Sequence, residues 1–541
     1  MTRRLFTTTS LVGLVILLLK VFPSTGLMAG IENREKSVKN DDEPTPVFAP
    51  RVTGPAPTNE ATIVTLSNGG HRIFYINRPG EANRLMSVWS ADGINWREPE
   101  VELELPGTAY YANRVMVDNK GVLHCIFHLW AEGGNGYRGR HLDLWYTRKE
   151  NGTGTWKKPR KIYNGYVGSL RCFMQLRSGR LITSFGRAVP SRLAKPASGE
   201  PDYGWNEVLT LWSDDSGETW SEAPRPLNIE VDGSKATRYG AIEPDVIQLK
   251  DNNLRMLIRT NKGTLYESSS QDSGENWTVP KPSELVSSDS PAAFLRLKDG
   301  RIVLFLNMNQ RWDNPNSYAF GGREVLHAAI SGDDGKTWKG FREVLRESPP
   351  KTAVEKGDRG TAYPSATETS DGLVILVSGQ GESKSIVRFD PDWLEETNTR
   401  TATGNAAKEL SATTEWVQNF PISKKGEIEV KVDLKKNPPG LQVALADHFS
   451  IPADAMAADH AVFTFRLSPG QSMEGMQIMK IKWDTEAQTA SIHLNDRLLA
   501  GPSLSKTSGS GVNYLRMKVI SNGGKSESGI GINEFSYYQI P

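Results

Sequence analysis

One short string recurs along the chain and restricts its fold more than any other feature. It reads SDDSGETW from Ser213 to Trp220, SSQDSGENW ending at Trp277, and SGDDGKTW from Ser331 to Trp338. SADGINW, Ser90 to Trp96, is one residue shorter, and TRKENGTGTW, Thr147 to Trp156, lacks the Asp. In each full copy the Asp side chain is able to accept hydrogen bonds from nearby backbone N–H groups, the Gly supplies a positive φ, and the Trp packs back under the turn. The string is therefore a self-contained staple for a β-hairpin. Between the copies lie LRSGRLITSF at Leu176, LKDNNLRMLIR at Leu249, LKDGRIVLFL at Leu297 and TSDGLVILVS at Thr369. Each sets a Gly or Asn turn between two strand-like runs, the local mark of a hairpin. Hairpins repeating every 40 to 60 residues or so predict a β-propeller, whose sheets stack radially because none can bury both faces alone. Counting the final hairpin after Tyr363, the repeat predicts six blades, and by itself it implies no catalysis.

A chain of 541 residues is long enough for more than one domain. The propeller is expected over 56–398, a polar Thr/Ala-rich linker over 399–411, and a β-sandwich over 412–541, where GEIEVKVDL, AVFTFRL, QIMKIKWD and NYLRMKVIS alternate with period two. This C-terminal part is similar in pattern to the concanavalin-like and laminin-G-like sandwiches appended to carbohydrate enzymes. The fold class is thus all-β, a six-bladed propeller followed by a sandwich. At the N-terminus, two arginines precede an apolar run from Leu11 to Leu19 and then small residues. That order predicts a secretory signal over 1–29, with a flexible leader over 30–55 and a mature chain that is secreted or periplasmic and has no transmembrane segment.

With 64 basic and 63 acidic residues there is no overall field to attract nucleic acid or an anionic membrane. The two cysteines, Cys125 and Cys172, exclude a disulfide-built scaffold, and the scattered histidines form no metal-site pattern. No cofactor and no metal are expected, and a monomer is.

The Asp-bearing turns at regular blade positions resemble those of the sialidases (neuraminidases), and three longer matches carry the resemblance further. In EPDVIQLKDNNLRMLIR, Glu243 opens one strand and Arg259 closes the next, which places both at the same rim of a hairpin. Arg323 stands eight residues before Ser331, and Tyr363 nine residues before the end of TAYPSATETSDG. The resemblance implies a retaining exo-glycosidase that removes a terminal, anionic sugar from a glycan. Tyr363 would be the nucleophile, Glu243 the group that takes its proton, and Arg259 and Arg323 members of an anion-binding triad.

The chain also departs from that pattern. Glu60 stands in TNEATIVTLSNGG where the family's first triad arginine is expected, so an acidic group faces the substrate there. In FYINRPGEANRLMSVW, Arg78 matches an expected arginine, but Asn83 lies near the position of the acid. An amide cannot act as a proton donor and acceptor in turn, which leaves Glu81 as the candidate general acid. The Gly-rich stretch HLWAEGGNGYRGRHLD adds His128, Glu132, Arg140, His141 and Asp143 as loop candidates, His128 foremost as a substrate contact. Three alternatives stay open: a glycan-binding or adhesion propeller without catalysis, a polysaccharide lyase with Tyr363 as base and acid, and a structural scaffold that mediates protein contacts.

Overall fold

A computed structural model describes residues 48–540 except 78–82, 131–141, 151–153, 166, 190–204, 231–239, 312–321, 348–358, 403–407, 411–414, 436–438, 453, 455, 469–473, 505 and 521–529. Six antiparallel sheets of four strands follow one another along the chain. Their innermost strands are Thr62–Thr65, Ala109–Val117, Met174–Gln175, Ile242–Gln248, Ala293–Arg296 and Ser365–Glu368, and these sheets are blades I to VI. In blades I to V the chain then turns outward through successive hairpins, and in blade VI it does so for three strands, the fourth coming from the N-terminal side.

The strands form because they are short, apolar and interrupted at regular points. Ile302–Leu306 (IVLFL) and Val374–Ser378 (VILVS) are buried along their whole length, as expected for strands covered on both faces by neighbouring blades. Six hydrophobic clusters sit at the six seams between consecutive blades. Val64, Phe74, Cys125 and Phe127 join blades I and II, for example, and Ile63, Ile73, Ile375 and Val377 join blades I and VI, which closes the ring. Each large side chain buried at such a seam contributes roughly 1.5–3 kcal/mol, so the seams supply most of the stability that single blades lack.

The recurrent turn is built as its sequence predicts. Ser213 Oγ donates to Asp215 Oδ1 at 2.8 Å and accepts from Gly217 N at 2.7 Å, while Asp215 Oδ1 accepts from Thr219 N at 2.8 Å. Trp220 Nε1 donates to Gly217 O at 3.2 Å. The same bonds recur at Ser270–Asp272–Gly274–Trp277, and at Ser331–Asp333–Gly335. Gly217 has φ +85°, and a Cβ there would lie 2.2 Å from Tyr146 Oη, so both backbone and packing demand glycine.

Two boundaries differ from the sequence expectation. Arg51–Gly54, placed in the leader, is the outer strand of blade VI and pairs with Ser385–Phe389 (Arg51 opposite Arg388). Being an edge strand with Arg51 and Val52 exposed, it lacks the alternation that marks a half-buried strand; its backbone makes the bonds. The expected linker likewise supplies strands Asn398–Ala402 and Lys408–Leu410, both paired with Ile530–Gln539.

The C-terminal part contains a sheet ordered Asn398–Ala402, Ile530–Gln539, Lys425–Leu434, Gly475–Asp484, Thr489–Leu494, Arg497–Ala500, and a second ordered Trp416–Ser423, Val512–Ile520, Gly440–Ala446, Phe463–Leu467, Ser503–Leu504. One core, including Ile428, Val430, Ile481 and Phe535 from the first and Val443, Phe465 and Leu515 from the second, lies between them as in a sandwich. It is fastened to blade V. Tyr514 Oη donates to Glu343 Oε1 at 2.6 Å and lies 2.6 Å from His327 Nε2, and Asn419 and Asn513 both donate to Phe341 O. Among the described residues no helix is long and apolar enough to cross a membrane.

Candidate active site

Each blade's inner hairpin opens at an equivalent turn residue: Leu66, Asp118, Leu176, Leu249, Leu297 or Thr369. In every case its N–H bonds to the carbonyl four residues on. Six residues before these lie Glu60, Ala112, Leu170, Glu243, Pro291 and Tyr363. Three of the six, Glu60, Glu243 and Tyr363, take a left-handed backbone with φ of +55°, +46° and +67°. Such a conformation is costly for a non-glycine residue and concentrates at functional sites. In blades IV and VI the next residue is Pro244 or Pro364, which has no N–H to leave unpaired where the ladder breaks.

These positions converge. Tyr363 Oη donates to Glu243 Oε1 at 3.1 Å and accepts from Arg259 Nη1 at 3.1 Å, and Arg259 Nη1 also donates to Glu243 Oε2. Arg259 lies opposite Ile242 in the hairpin, and a bulge between Ile242 and Asp245 turns Glu243 toward it. Arg259 Nε donates to Asp289 Oδ1 at 2.6 Å. Arg323 donates through Nε and Nη2 to Asp289 O, at 3.3 and 3.0 Å, and through Nη1 to Gln380 Oε1 at 2.9 Å. The guanidinium carbons of Arg171 and Arg323 each sit 5.3 Å from the centre of the Tyr363 ring. All of these groups are buried; Tyr363 is 4 % exposed and Arg323 0 %.

Burial first, and the Glu243 carboxylate second, raise the Tyr363 pKa well above its ordinary 10.0; Arg259 and Arg323 pull it back, and Glu60 pushes it further. The phenol therefore rests protonated, and any attack through its oxygen must pass the proton to Glu243 as the bond forms.

Residues 109–376 match the BNR repeat-like domain. The anhydrosialidase of Macrobdella decora is 25% identical over 215 residues, covering 37% of this chain and 26% of that relative's length. Through its BNR repeats the propeller is similar to proteins of the sialidase superfamily. Among solved structures, this chain is similar to a protein of unknown function from Dyadobacter fermentans, with 16% identity, 63% of this chain and 97% of the other covered, and a TM-score of 0.46. It is also similar to the Trypanosoma rangeli sialidase in complex with 2,3-difluorosialic acid, with 14% identity, 89% and 91% covered, and a TM-score of 0.40.

Of the residues singled out in the sequence, Tyr363, Glu243, Arg259 and Arg323 meet in one cluster. Glu60 is buried at its margin, receives the Ser169 hydroxyl on Oε2 and acts electrostatically on Tyr363. His128 lies in a different setting, opposite Leu144 in the second strand of blade II, where burial alone pulls its pKa down to about 3 and keeps it neutral. Arg78 and Glu81 lie outside the described residues, as do Glu132, Arg140 and His141. Asp143 is a structural residue: it accepts from Gly165 N at 3.1 Å and pairs with Lys161. Asn83 is exposed, and its carbonyl accepts from Leu105 N. Cys125 and Cys172 are buried free thiols. Among the described residues no group of three or more His, Cys, Asp or Glu side chains is placed to hold a metal ion.

Sequence reasoning missed Asp289, Gln380, Arg114 and Arg171. A signal existed for one of them. Arg171 stands five residues before the turn residue Leu176, next to the blade position that supplies Glu60, Glu243 and Tyr363, so aligning the blades by their turns would have exposed it.

Proposed function

We propose that this protein is an exported, sialidase-like exo-glycosidase that removes a terminal anionic sugar from glycans with retention of configuration. The observation that carries the reading is the Tyr363 hydroxyl bonded to Glu243 while Arg259 donates to the same phenol oxygen. Tyr363 Oη attacks the anomeric carbon as its proton passes to Glu243 Oε1, and a glycosyl–O–tyrosine bond replaces the bond to the leaving oxygen. Arg259 stabilises negative charge developing on the phenol oxygen. Glu81 protonates the leaving oxygen, then takes the proton of the water that attacks the intermediate and frees Tyr363. Asp289 holds Arg259 through its side chain and Arg323 through its carbonyl, so both guanidiniums are fixed beside the phenol before substrate arrives.

The test is release of a fluorophore from a sialoside and from a panel of other terminal glycosides by the purified chain from residue 30 onward. Mass spectrometry of a fluorosugar-trapped enzyme should place the sugar on the peptide containing Tyr363. A product that absorbs in the ultraviolet through a new double bond would replace the hydrolase reading with a lyase, and binding without turnover would replace it with a glycan-binding propeller.

A further inference from the structure

Arg259 and Arg323 are heavily committed to protein acceptors. Arg323 uses Nε, Nη1 and Nη2 on Asp289 O and Gln380, and Arg259 uses Nε and Nη1 on Asp289, Glu243 and Tyr363. On the other side of the tyrosine, blades II and III present the opposite situation. Arg171, 3 % exposed, makes one side-chain bond, from Nη2 to Pro364 O, and its Nε is buried without a partner among the described residues. Arg114, 7 % exposed, makes no side-chain hydrogen bond or ion pair among them, and its Nε is likewise buried and unpartnered.

Two buried guanidiniums with one protein acceptor between them among the described residues are costly unless further acceptor oxygens complete them. The cost registers on Arg114, where burial and then the charge of Arg171 lower the pKa to about 9, so that it remains cationic near neutrality. Glu60 and Asp245 supply part of the countercharge, but Glu60 is engaged by Ser169, and Asp245 Oδ2 accepts from Phe294 N at 2.8 Å. The unmet requirement is for acceptor oxygens carrying negative charge.

We propose that Arg114 and Arg171 form an oxyanion subsite that seats a carboxylate or sulfate substituent of the sugar, beside the tyrosine and apart from Arg259 and Arg323, which hold the catalytic groups in place. Guanidinium forks match the paired oxygens of either group. The Arg171 guanidinium carbon is 5.3 Å from the Tyr363 ring centre, so the substituent belongs to the sugar under attack. The inference deepens the glycosidase reading and rests on it for the identity of the ligand.

The experiment compares fluorogenic glycosides in matched pairs, a uronide and a sulfated sugar each against its uncharged parent, for wild type, Arg171→Lys, Arg171→Gln and Arg114→Gln. Wild type should prefer the charged member. Arg171→Gln should reduce the charged-to-uncharged ratio of kcat/KM about tenfold or more through KM, as loss of a charge-assisted bond predicts, with Arg171→Lys in between. Arg114→Gln should narrow the ratio in the same direction and keeps the inference open to refutation if Arg171→Gln does not fold. Preference for the uronide or for the sulfated sugar tells the two oxyanions apart. Equal losses on both members of a pair, or no preference in wild type, would overturn the subsite while leaving the glycosidase reading intact. Should wild type cleave nothing, the glycosidase reading fails, and thermal shift with inorganic sulfate and free N-acetylneuraminic acid decides the subsite. Stabilisation lost in Arg171→Gln supports it, and no stabilisation of wild type rejects it.

Discussion

The outer rim of the propeller and its inner ring obey opposite rules. On the rim the same residues return: Ser213, Ser270 and Ser331 each bond an Asp two residues on and accept from a Gly four residues on. At the inner ring the equivalent positions hold Glu60, Ala112, Leu170, Glu243, Pro291 and Tyr363, and hardly a residue repeats. The rim turn satisfies itself and needs nothing from the other blades, so copying it is harmless. Inner positions converge on one axis, where each side chain meets the others, so identical residues would place like groups together. Repetition marks what holds a blade shut, and divergence marks where chemistry is assembled.

The comparison breaks most sharply at Tyr363. Tyr363→Phe should lower kcat by about a thousandfold or more while the thermal midpoint moves little, because the lost hydroxyl is the nucleophile and the ring stays packed. Turnover near wild type in that variant would remove the tyrosine from the mechanism. Glu243→Gln should cost about 10²–10⁴-fold in kcat, the ordinary contribution of a positioned proton acceptor, and a loss confined to KM would make Glu243 a binding residue instead.

The fastening between propeller and sandwich gives an intermediate effect. Met308 N donates to His327 Nδ1 at 3.3 Å, which leaves the proton of the neutral ring on Nε2 to be donated to Tyr514, itself a donor to Glu343. Burial holds His327 down at about 4, so this chain of bonds stays in one protonation state across the physiological range. Tyr514→Phe should destabilise by about 1–3 kcal/mol, read as a shift in the denaturant midpoint; an unchanged midpoint would mean the sandwich is held without it.

Rim substitutions should show the smallest effect. Asp215→Ala should cost about 1 kcal/mol, since exposed hydrogen bonds are screened, with kcat/KM unaltered. Its hydrogen bonds to Thr219 lower the Asp215 pKa from 3.8 to about 2. A folded-state value below the unfolded one adds stability above the unfolded value and loses it as pH falls through the folded one. The midpoint difference between wild type and Asp215→Ala should therefore be full at pH 6 and shrink between about pH 4 and 2. A difference independent of pH would assign the effect to packing of the turn rather than to the carboxylate.

Much of this was legible in the chain because the governing interactions are local. The Asp-bearing turn, the Gly and Asn hairpins, and the rim shared by Glu243 and Arg259 all follow from contacts within one hairpin. What escaped notice depends on partners far away in sequence. Arg51–Gly54 is a strand only because Ser385–Phe389 offers it an edge, and Asn398–Ala402 only because Ile530–Gln539 does. Arg171 reads as an ordinary basic residue until closure of the ring brings it to Pro364 O and the face of Tyr363.

The sequence by itself determined the repeating unit, the number of blades and the residue types available for chemistry, since turn propensity and strand alternation are properties of neighbours in the chain. Only the tertiary structure decided which charges face one another. Closing six blades into a ring sets Glu243 of blade IV, Asp289 at the entry to blade V and Tyr363 at the entry to blade VI around Arg259, and among the described residues it leaves the Arg114 and Arg171 side chains with a single protein acceptor between them. Electrostatic pairing acts through space, and no periodicity along the chain encodes which blade will stand opposite another.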